Sequence, residues 1–351
     1  MKRNSLGKKI AFAVLTVSGS ILLCMLAAEI IIRIFFPQQE PMRWFISDPG
    51  YGYLNKKNFS QDFVYSSTGY DMKVKTNSFG HRGAEPKKSA LQDEGTTRIL
   101  LIGDSFTFGY GVEIEDHFGT LLEKKLRDKG HKCVVLNSGV GGWGSFQAFN
   151  YARDHFGQFR PDIVIYTFCG NDADDDIRFT SDKSLTDKEK GLFYFPGKIF
   201  IRNHSHLYRL IVDKLRISIH SFALKCKIRK SGGSDIKVDT QSASLIIDDQ
   251  WSGLAENIRK FHDDFLKFNP KGIFVVEASA PWDENIRSHL APLADGKSIF
   301  YLDVYEDTVK IPDAERKMPH DNHWSPKIHA IFADKLDEMI ELHSSQKANT
   351  K

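Results

Sequence analysis

From Thr97 onward the chain alternates short apolar runs with segments of helical periodicity, and that rhythm constrains the fold more than any other feature. Runs at 98–102, 134–136, 162–168, 272–276 and 299–304 have strand length, while 118–126, 146–159, 251–268 and 328–342 repeat apolar residues at helical spacing. Strands separated by helices predict a parallel sheet covered on both faces, a doubly wound three-layer α/β/α fold. Working groups in such folds gather beyond the C-terminal ends of the strands. The first run, Ile99 to Ile102, breaks there into the turn Gly103-Asp104-Ser105.

Ahead of this rhythm, Ile10 to Ala28 is a run of 19 residues without a charge. As a helix it spans ~28 Å, close to the thickness of a bilayer core. Lys2, Arg3, Lys8 and Lys9 precede it, and through residue 51 only Arg33 and Arg43 follow. This asymmetry predicts a cytoplasmic N-terminus and a periplasmic or extracellular remainder. Glu29 and Arg33 stand at i, i+4 spacing near the exit, where they can pair. A cleaved signal peptide is the competing reading, and Met25 to Ala28 offers it no clean small-x-small site. The expected organisation is a tail at 1–9, a membrane anchor at 10–36 and a β-rich lead-in at 37–96. The α/β domain follows at 97–343, with an insertion at 173–248 and a polar tail at 344–351.

Setting the four N-terminal cations aside leaves 44 basic residues against 45 acidic ones, with no basic stripe, so nucleic acid is not an expected partner. Cys133 and Cys169 lie in strand-like runs and read as small buried hydrophobes. A Cys133–Cys169 disulfide is the alternative, and it requires neighbouring strands in register.

Three further polar segments fall where this architecture concentrates chemistry: Asn137-Ser138-Gly139-Val140-Gly141-Gly142 after the second strand, Gly170-Asn171-Asp172 after the third, and Asp321-Asn322-His323-Trp324 before the last helix. A serine hydroxyl becomes a nucleophile when a neighbouring base takes its proton, and His323 is the expected base for Ser105. Asp321 is close enough in sequence to orient the imidazole and stabilise its charged form. The tetrahedral oxyanion needs aimed donors, expected from the backbone N–H groups of Ser105 and Gly139 and the side-chain amide of Asn171.

In this order the four segments resemble the blocks of the SGNH hydrolases, also called the GDSL esterase/lipase family. The resemblance covers residues 97 to 343 and implies a flavodoxin-like sheet and acyl transfer through a Ser105 acyl-enzyme. Asp321-Asn322-His323 is one residue shorter than the common Asp-x-x-His spacing and resembles the Asp-x-His-Trp form of some anchored members and polysaccharide O-acetyl-modifying relatives. The run Thr76-Asn77-Ser78-Phe79-Gly80-His81-Arg82-Gly83 is similar to a segment that precedes the domain in membrane-anchored members. The implied reaction is hydrolysis of an ester, including an acetyl group on an envelope carbohydrate. Polysaccharide O-acetyl transfer and a catalytically silent glycan- or protein-binding scaffold are the alternatives.

Plainer readings compete residue by residue. Gly-Asp-Ser alone is an ordinary turn sequence, and Asp104 is expected to be structural. Trp143 and Trp324 read either as a sugar- or acyl-contacting wall or as core. The glycines at 139–144 lack the Lys and Ser/Thr of a phosphate loop. His320 and His323 precede a helix instead of lying i, i+4 on it, and the carboxylates at 172–176 read as a solvated loop, so neither a metal nor another cofactor is expected. The sequence leaves the oligomeric state open.

Overall fold

The computed structural model describes residues 3–36, 38, 42–65, 70–172, 201, 204–212, 248–319 and 321–349. They fall into two compact units, one of 1–41, 64–69 and 192–237, the other of 42–63, 70–191 and 238–351. Most of the 173–248 insertion, Cys226 included, lies outside the described residues.

In the first unit, helix α1 (Arg3–Phe35) contains the uncharged run, and Gly7–Phe35 is long and apolar enough to cross a membrane. Glu29 and Arg33 pair at 3.0 Å, as their spacing predicts. Glu29 also accepts hydrogen bonds from the backbone N–H groups of His206 (2.9 Å) and Leu207 (2.8 Å) and from Ser205 Oγ (2.8 Å). It thereby satisfies orphan donors at the start of the helical stretch 206–212. Part of the expected insertion thus belongs to the same unit as α1.

The second unit begins with two small two-stranded sheets: β1 (Phe45–Asp48) with β2 (Gly52–Asn55), and β3 (Ser60–Tyr65) with β4 (Tyr70–Lys75). Behind them is a five-stranded sheet of β5 (Thr97–Gly103), β6 (Cys133–Asn137), β7 (Ile163–Phe168), β8 (Ile273–Ala278) and β9 (Ile299–Tyr301). Its order is β6-β5-β7-β8-β9, with every neighbouring pair parallel. The chain runs outward from β5 to β6, then crosses back to β7. The C-terminal ends of β5 and β7 therefore flank the switch point at which such sheets open a crevice.

Helices α2 (Ser105–Phe108), α3 (Phe118–Asp128), α4 (Ser145–Phe159), α5 (Asp248–Phe268) and α6 (Pro326–Asn349) supply the turn after β5 and the two outer layers. Leu100, Ile102, Val164, Tyr166 and Phe274 face α4 and α5, where Phe149 stacks on Phe261 at 4.5 Å. Ile99, Leu101, Ile163, Ile165 and Val275 face α3 and α6 with Leu122, Ile328 and Phe332. Burial on both faces explains why these strands read as continuous apolar runs, each side chain contributing ~1.5–3 kcal/mol. At the start of the sheet Arg98 Nε and Nη2 reach the Asp162 carboxylate at 3.0 Å each, fastening β5 to the entry of β7.

The structure refines the expected tail and bears out the reading of the two cysteines as buried hydrophobes. Within the lead-in, 42–63 and 70–96 share one compact unit with the large sheet. The tail expected from 344 is helical through Asn349, since 343–349 contain no glycine or proline to stop α6. Cys133 and Cys169 are free buried thiols: β5 lies between β6 and β7, and the two cysteines stand at opposite ends of the sheet. Burial pushes the Cys133 thiol up to about 11, so it behaves as a small hydrophobe.

Candidate active site

β5 ends in a glycine for a steric reason. Gly103 has φ +143°, and a Cβ there would lie 2.3 Å from Thr107 Oγ1. Asp104 follows as the N-cap of α2, its Oδ1 accepting from Phe106 N–H at 2.8 Å. Ser105 is the first residue of the turn, and its carbonyl accepts from both Gly109 N–H and Tyr110 N–H at 3.0 Å.

The loop before α6 carries the second partner. Met318 N–H donates to His323 O at 2.9 Å, and Lys317 bridges to Trp324 in an antiparallel pair, closing 317–324 into a tight hairpin. His323 projects from it between the rings of Phe106 and Tyr110, each with its centroid 4.8 Å away. Its Nε2 lies 2.7 Å from Ser105 Oγ, and its Nδ1 lies 2.5 Å from Asp321 Oδ1. Asp321 also accepts the backbone N–H of His323 at 2.9 Å. Because the carboxylate can only accept, Nδ1 carries the ring proton and Nε2 is the lone pair facing the serine hydroxyl. The His323 and Asp321 side chains are only 15 % and 13 % exposed, so little water competes for these bonds.

The segments after β6 and β7 bring donors to the same sheet edge. Ser138 N–H bonds Leu101 O at 3.0 Å and Val140 N–H bonds Gly103 O at 3.1 Å, continuing the sheet's pairing beside β5. Val140 to Trp143 then form a turn, closed by Trp143 N–H to Val140 O at 3.1 Å, with Gly142 at φ +80°. After β7, Asp172 is buried and accepts from Tyr166 OH at 2.5 Å and Cys169 N–H at 3.0 Å. Asp172 thus shapes the turn after β7 that holds half-buried Asn171.

Gly139 has a different place from the one expected. Its N–H donates to Asn137 Oδ1 at 3.1 Å, and a Cβ there would meet Phe108 N at 2.4 Å. Its missing side chain serves close packing against α2. The glycine beside Ser105 is Gly141: a Cβ on it would lie 3.7 Å from Ser105 Cβ and 3.4 Å from Phe45 Cζ. Among the described residues, the N–H groups of Ser105, Gly141 and Gly142 have no hydrogen-bond acceptor. The adjacent pair Gly141-Gly142, which permits a turn with positive φ, was the sequence signal for this.

Trp143 and Trp324 are core, each 1 % exposed. Trp143 Nε1 donates to Tyr53 O at 3.0 Å, while Trp324 Nε1 donates to Ser279 O at 2.6 Å and its ring stacks on Phe332 at 4.2 Å. Indole burial succeeds because each N–H finds a carbonyl, so neither ring remains to meet substrate. The lead-in instead reaches the site: Tyr53 OH donates to Gly141 O at 3.0 Å and Asn55 Nδ2 to Gly139 O at 2.9 Å. His329 is a capping residue, its Nδ1 accepting from Phe118 N–H at 3.3 Å, while His320 and 173–176 lie outside the described residues. Among the described residues no group of three or more His, Cys, Asp or Glu side chains could hold a metal ion.

Among known proteins, an arylesterase of Vibrio mimicus is 26 % identical to this chain over 120 residues, 34 % of this chain and 51 % of the relative. The chain thus spans about half the length of the curated relative it matches. Among solved structures, a family 3 carbohydrate esterase of Clostridium thermocellum aligns over 72 % of this chain and 98 % of its own, with TM-score 0.42 and 15 % identity. TesA aligns over 70 % and 99 %, with TM-score 0.41 and 12 % identity. The model of the GDSL-like lipase/acylhydrolase family matches residues 101–331, which span the serine turn, both donor loops and the histidine hairpin, and the chain belongs to that family.

Proposed function

We propose that this protein is a serine esterase in which Ser105 is the nucleophile, His323 the general base and Asp321 the group that orients it. The continuous hydrogen-bonded chain from Ser105 Oγ through the imidazole to Asp321 Oδ1 carries this reading. His323 Nε2 takes the hydroxyl proton as Oγ attacks the ester carbonyl. In this reading the developing oxyanion is met by Ser105 N–H, an N–H of the Gly141-Gly142 turn and the Asn171 amide. His323 then returns the proton to the leaving alcohol, and water attacks the Ser105 acyl-enzyme by the reverse route.

The reading extends to place and substrate class. Four cations before the apolar run, against Arg33 and Arg43 alone through residue 51 after it, support an anchor at 10–36 with the catalytic domain outside the cytoplasm. The substrate class we infer is a short acyl ester such as an acetyl group on an envelope carbohydrate, in keeping with the carbohydrate esterase among the similar folds. The test is labelling of the full chain with a fluorophosphonate, which forms a bond to an activated serine and releases fluoride. Labelling at Ser105 that disappears in Ser105→Ala is the expected result. A folded protein that is not labelled would overturn the reading and leave a binding scaffold.

A further inference from the structure

The run Thr76 to Gly83 has no part in the reaction above, yet almost every polar atom in it is used. Thr76 Oγ1 donates to Lys56 O at 2.5 Å and accepts from Phe59 N–H at 3.1 Å. Asn77 Oδ1 accepts from Phe79 N–H (2.9 Å) and His81 N–H (3.1 Å), and its Nδ2 donates to Ala84 O at 3.2 Å. Gly80 has φ +86°, and a Cβ there would lie 2.6 Å from Asn55 O. These bonds turn the loop on itself and leave two long side chains projecting into the protein. His81 reaches Tyr151 OH at 2.9 Å, in the core. Arg82 reaches the turn that carries Ser105.

Arg82 is 3 % exposed, and among the described residues it pairs with no carboxylate. Its partners are carbonyls: Nη1 donates to Phe108 O at 3.0 Å and to Gly109 O, and Nη2 to Val112 O at 2.6 Å and Lys73 O at 3.4 Å. The guanidinium also lies 5.0 Å from the Phe108 ring centroid. Burying a cation is costly; Glu113 and Glu115 favour its charge without bonding it, and the dipoles of the carbonyls it bonds offset the rest. His117 Nε2 takes Thr107 O at 2.9 Å, with Nδ1 accepting from Gly119 N–H at 3.1 Å, so the neighbouring carbonyl is held as well. Gly109 links this set to the nucleophile: its O is held by Arg82, and its N–H bonds Ser105 O.

We propose that Arg82 is a positioning residue for the nucleophile, its guanidinium fixing the carbonyl end of α2 so that Ser105 Oγ stays within reach of His323 Nε2. The proposal rests on the reading of Ser105 as nucleophile. A displacement of about 1 Å at a reacting atom costs on the order of 10²-fold in rate, while substrate binding elsewhere is untouched. Lysine is a poor replacement, because one ammonium cannot reproduce a planar fork of donors spread over four carbonyls. Arg82, His117 and Asn137 also line a cavity of about 630 Å³, which gives a small guanidinium compound a route to the position.

The test measures fluorophosphonate labelling of the full chain as a maximal rate and a half-saturating concentration, alongside thermal unfolding. Arg82→Lys is expected to lower the maximal rate about ten-fold, with half-saturation within about two-fold of wild type. Arg82→Ala is expected to lose about a hundred-fold and to regain about ten-fold with methylguanidinium but not methylammonium. Wild-type labelling rates in folded Arg82→Lys would overturn the proposal, as would an absence of guanidinium rescue in folded Arg82→Ala. If Arg82→Ala does not fold, Arg82→Lys decides; if both melt below the assay temperature, the residue holds the fold and the proposal falls. Wild-type protein that is not labelled at Ser105 would instead remove the reading on which it rests.

Discussion

Asp321 Oδ1 accepts two hydrogen bonds from His323, one from the backbone N–H at 2.9 Å and one from Nδ1 at 2.5 Å. The two-residue spacing lets one carboxylate oxygen set both the local backbone and the imidazole tautomer. Asp321→Asn keeps an acceptor near the backbone N–H but removes the charge that stabilises imidazolium. It is expected to lower the labelling rate of Ser105 by roughly 10²–10⁴. The unfolding temperature should change little; a labelling rate within three-fold of wild type would exclude Asp321 as orienter.

The glycines at 139 and 141 should separate by substitution. Gly139→Ala drives a methyl into Phe108 N, a contact of 2.4 Å with backbone that cannot swing aside, and should lower the unfolding temperature by roughly 5 °C or more. Gly141→Ala meets only side chains, at 3.4 Å and 3.7 Å, and should fold near wild type while slowing Ser105 labelling about ten-fold. Calorimetry with labelling kinetics on both variants checks the pair. The opposite pattern would return the oxyanion role to Gly139.

Glu277 is fully buried on β8, where Thr167 Oγ1 donates to its Oε1 at 2.6 Å and, among the described residues, Oε2 has no partner. Burial pushes its carboxyl up to about 8, against 4.5 for the unfolded chain. Between these values the folded state holds a proton that the unfolded state has lost, so stability falls as pH rises through the window and levels off above it. Glu277→Gln keeps an acceptor for Thr167 without the ionisation. Its unfolding temperature should gain on wild type as pH rises from 5 to 8, in a thermal series in matched buffers; a constant difference would show that Glu277 does not titrate in this range.

His81, His117 and His329 are buried, and burial holds His81 and His117 down to about 3 and His329 well below its usual value. Below pH 6.5 the unfolded chain binds protons that these rings refuse, so stability declines as pH falls toward 3. Among the described residues His81 Nδ1 has no partner, so His81→Phe sacrifices only the bond to Tyr151, about 1 kcal/mol. Its unfolding temperature should fall less steeply than that of wild type between pH 6.5 and 4. Parallel curves would mean that other groups govern acid unfolding.

The sheet was legible in the sequence because a parallel strand buried on both faces has a local signature, and Ile99–Ile102, Ile163–Phe168 and Ile273–Val276 show it. The placement of Ser105, Asn171, Asp321 and His323 just after strands or before the last helix was legible for a related reason: turn chemistry at strand ends is local, and parallel strands bring those ends to one edge. Gly139 misled because a sequence records that a glycine is needed and not whether the need is an aimed N–H or a missing side chain. Trp143 and Trp324 left two readings open because indole burial depends on carbonyls that other segments supply, Tyr53 O and Ser279 O.

The sequence by itself determined the layer architecture, the apolar span near the N-terminus and the order of four chemical blocks, since each depends on neighbours within one turn or strand. Only the tertiary structure decided that 42–63 and 70–96 share one compact unit with the large sheet and that Gly141, not Gly139, lies against Ser105. It alone set a buried Arg82 against the turn that carries Ser105. Those relationships join residues 53, 55 and 82 to 105–112 and 139–141 through carbonyls, groups that every residue carries and no sequence distinguishes.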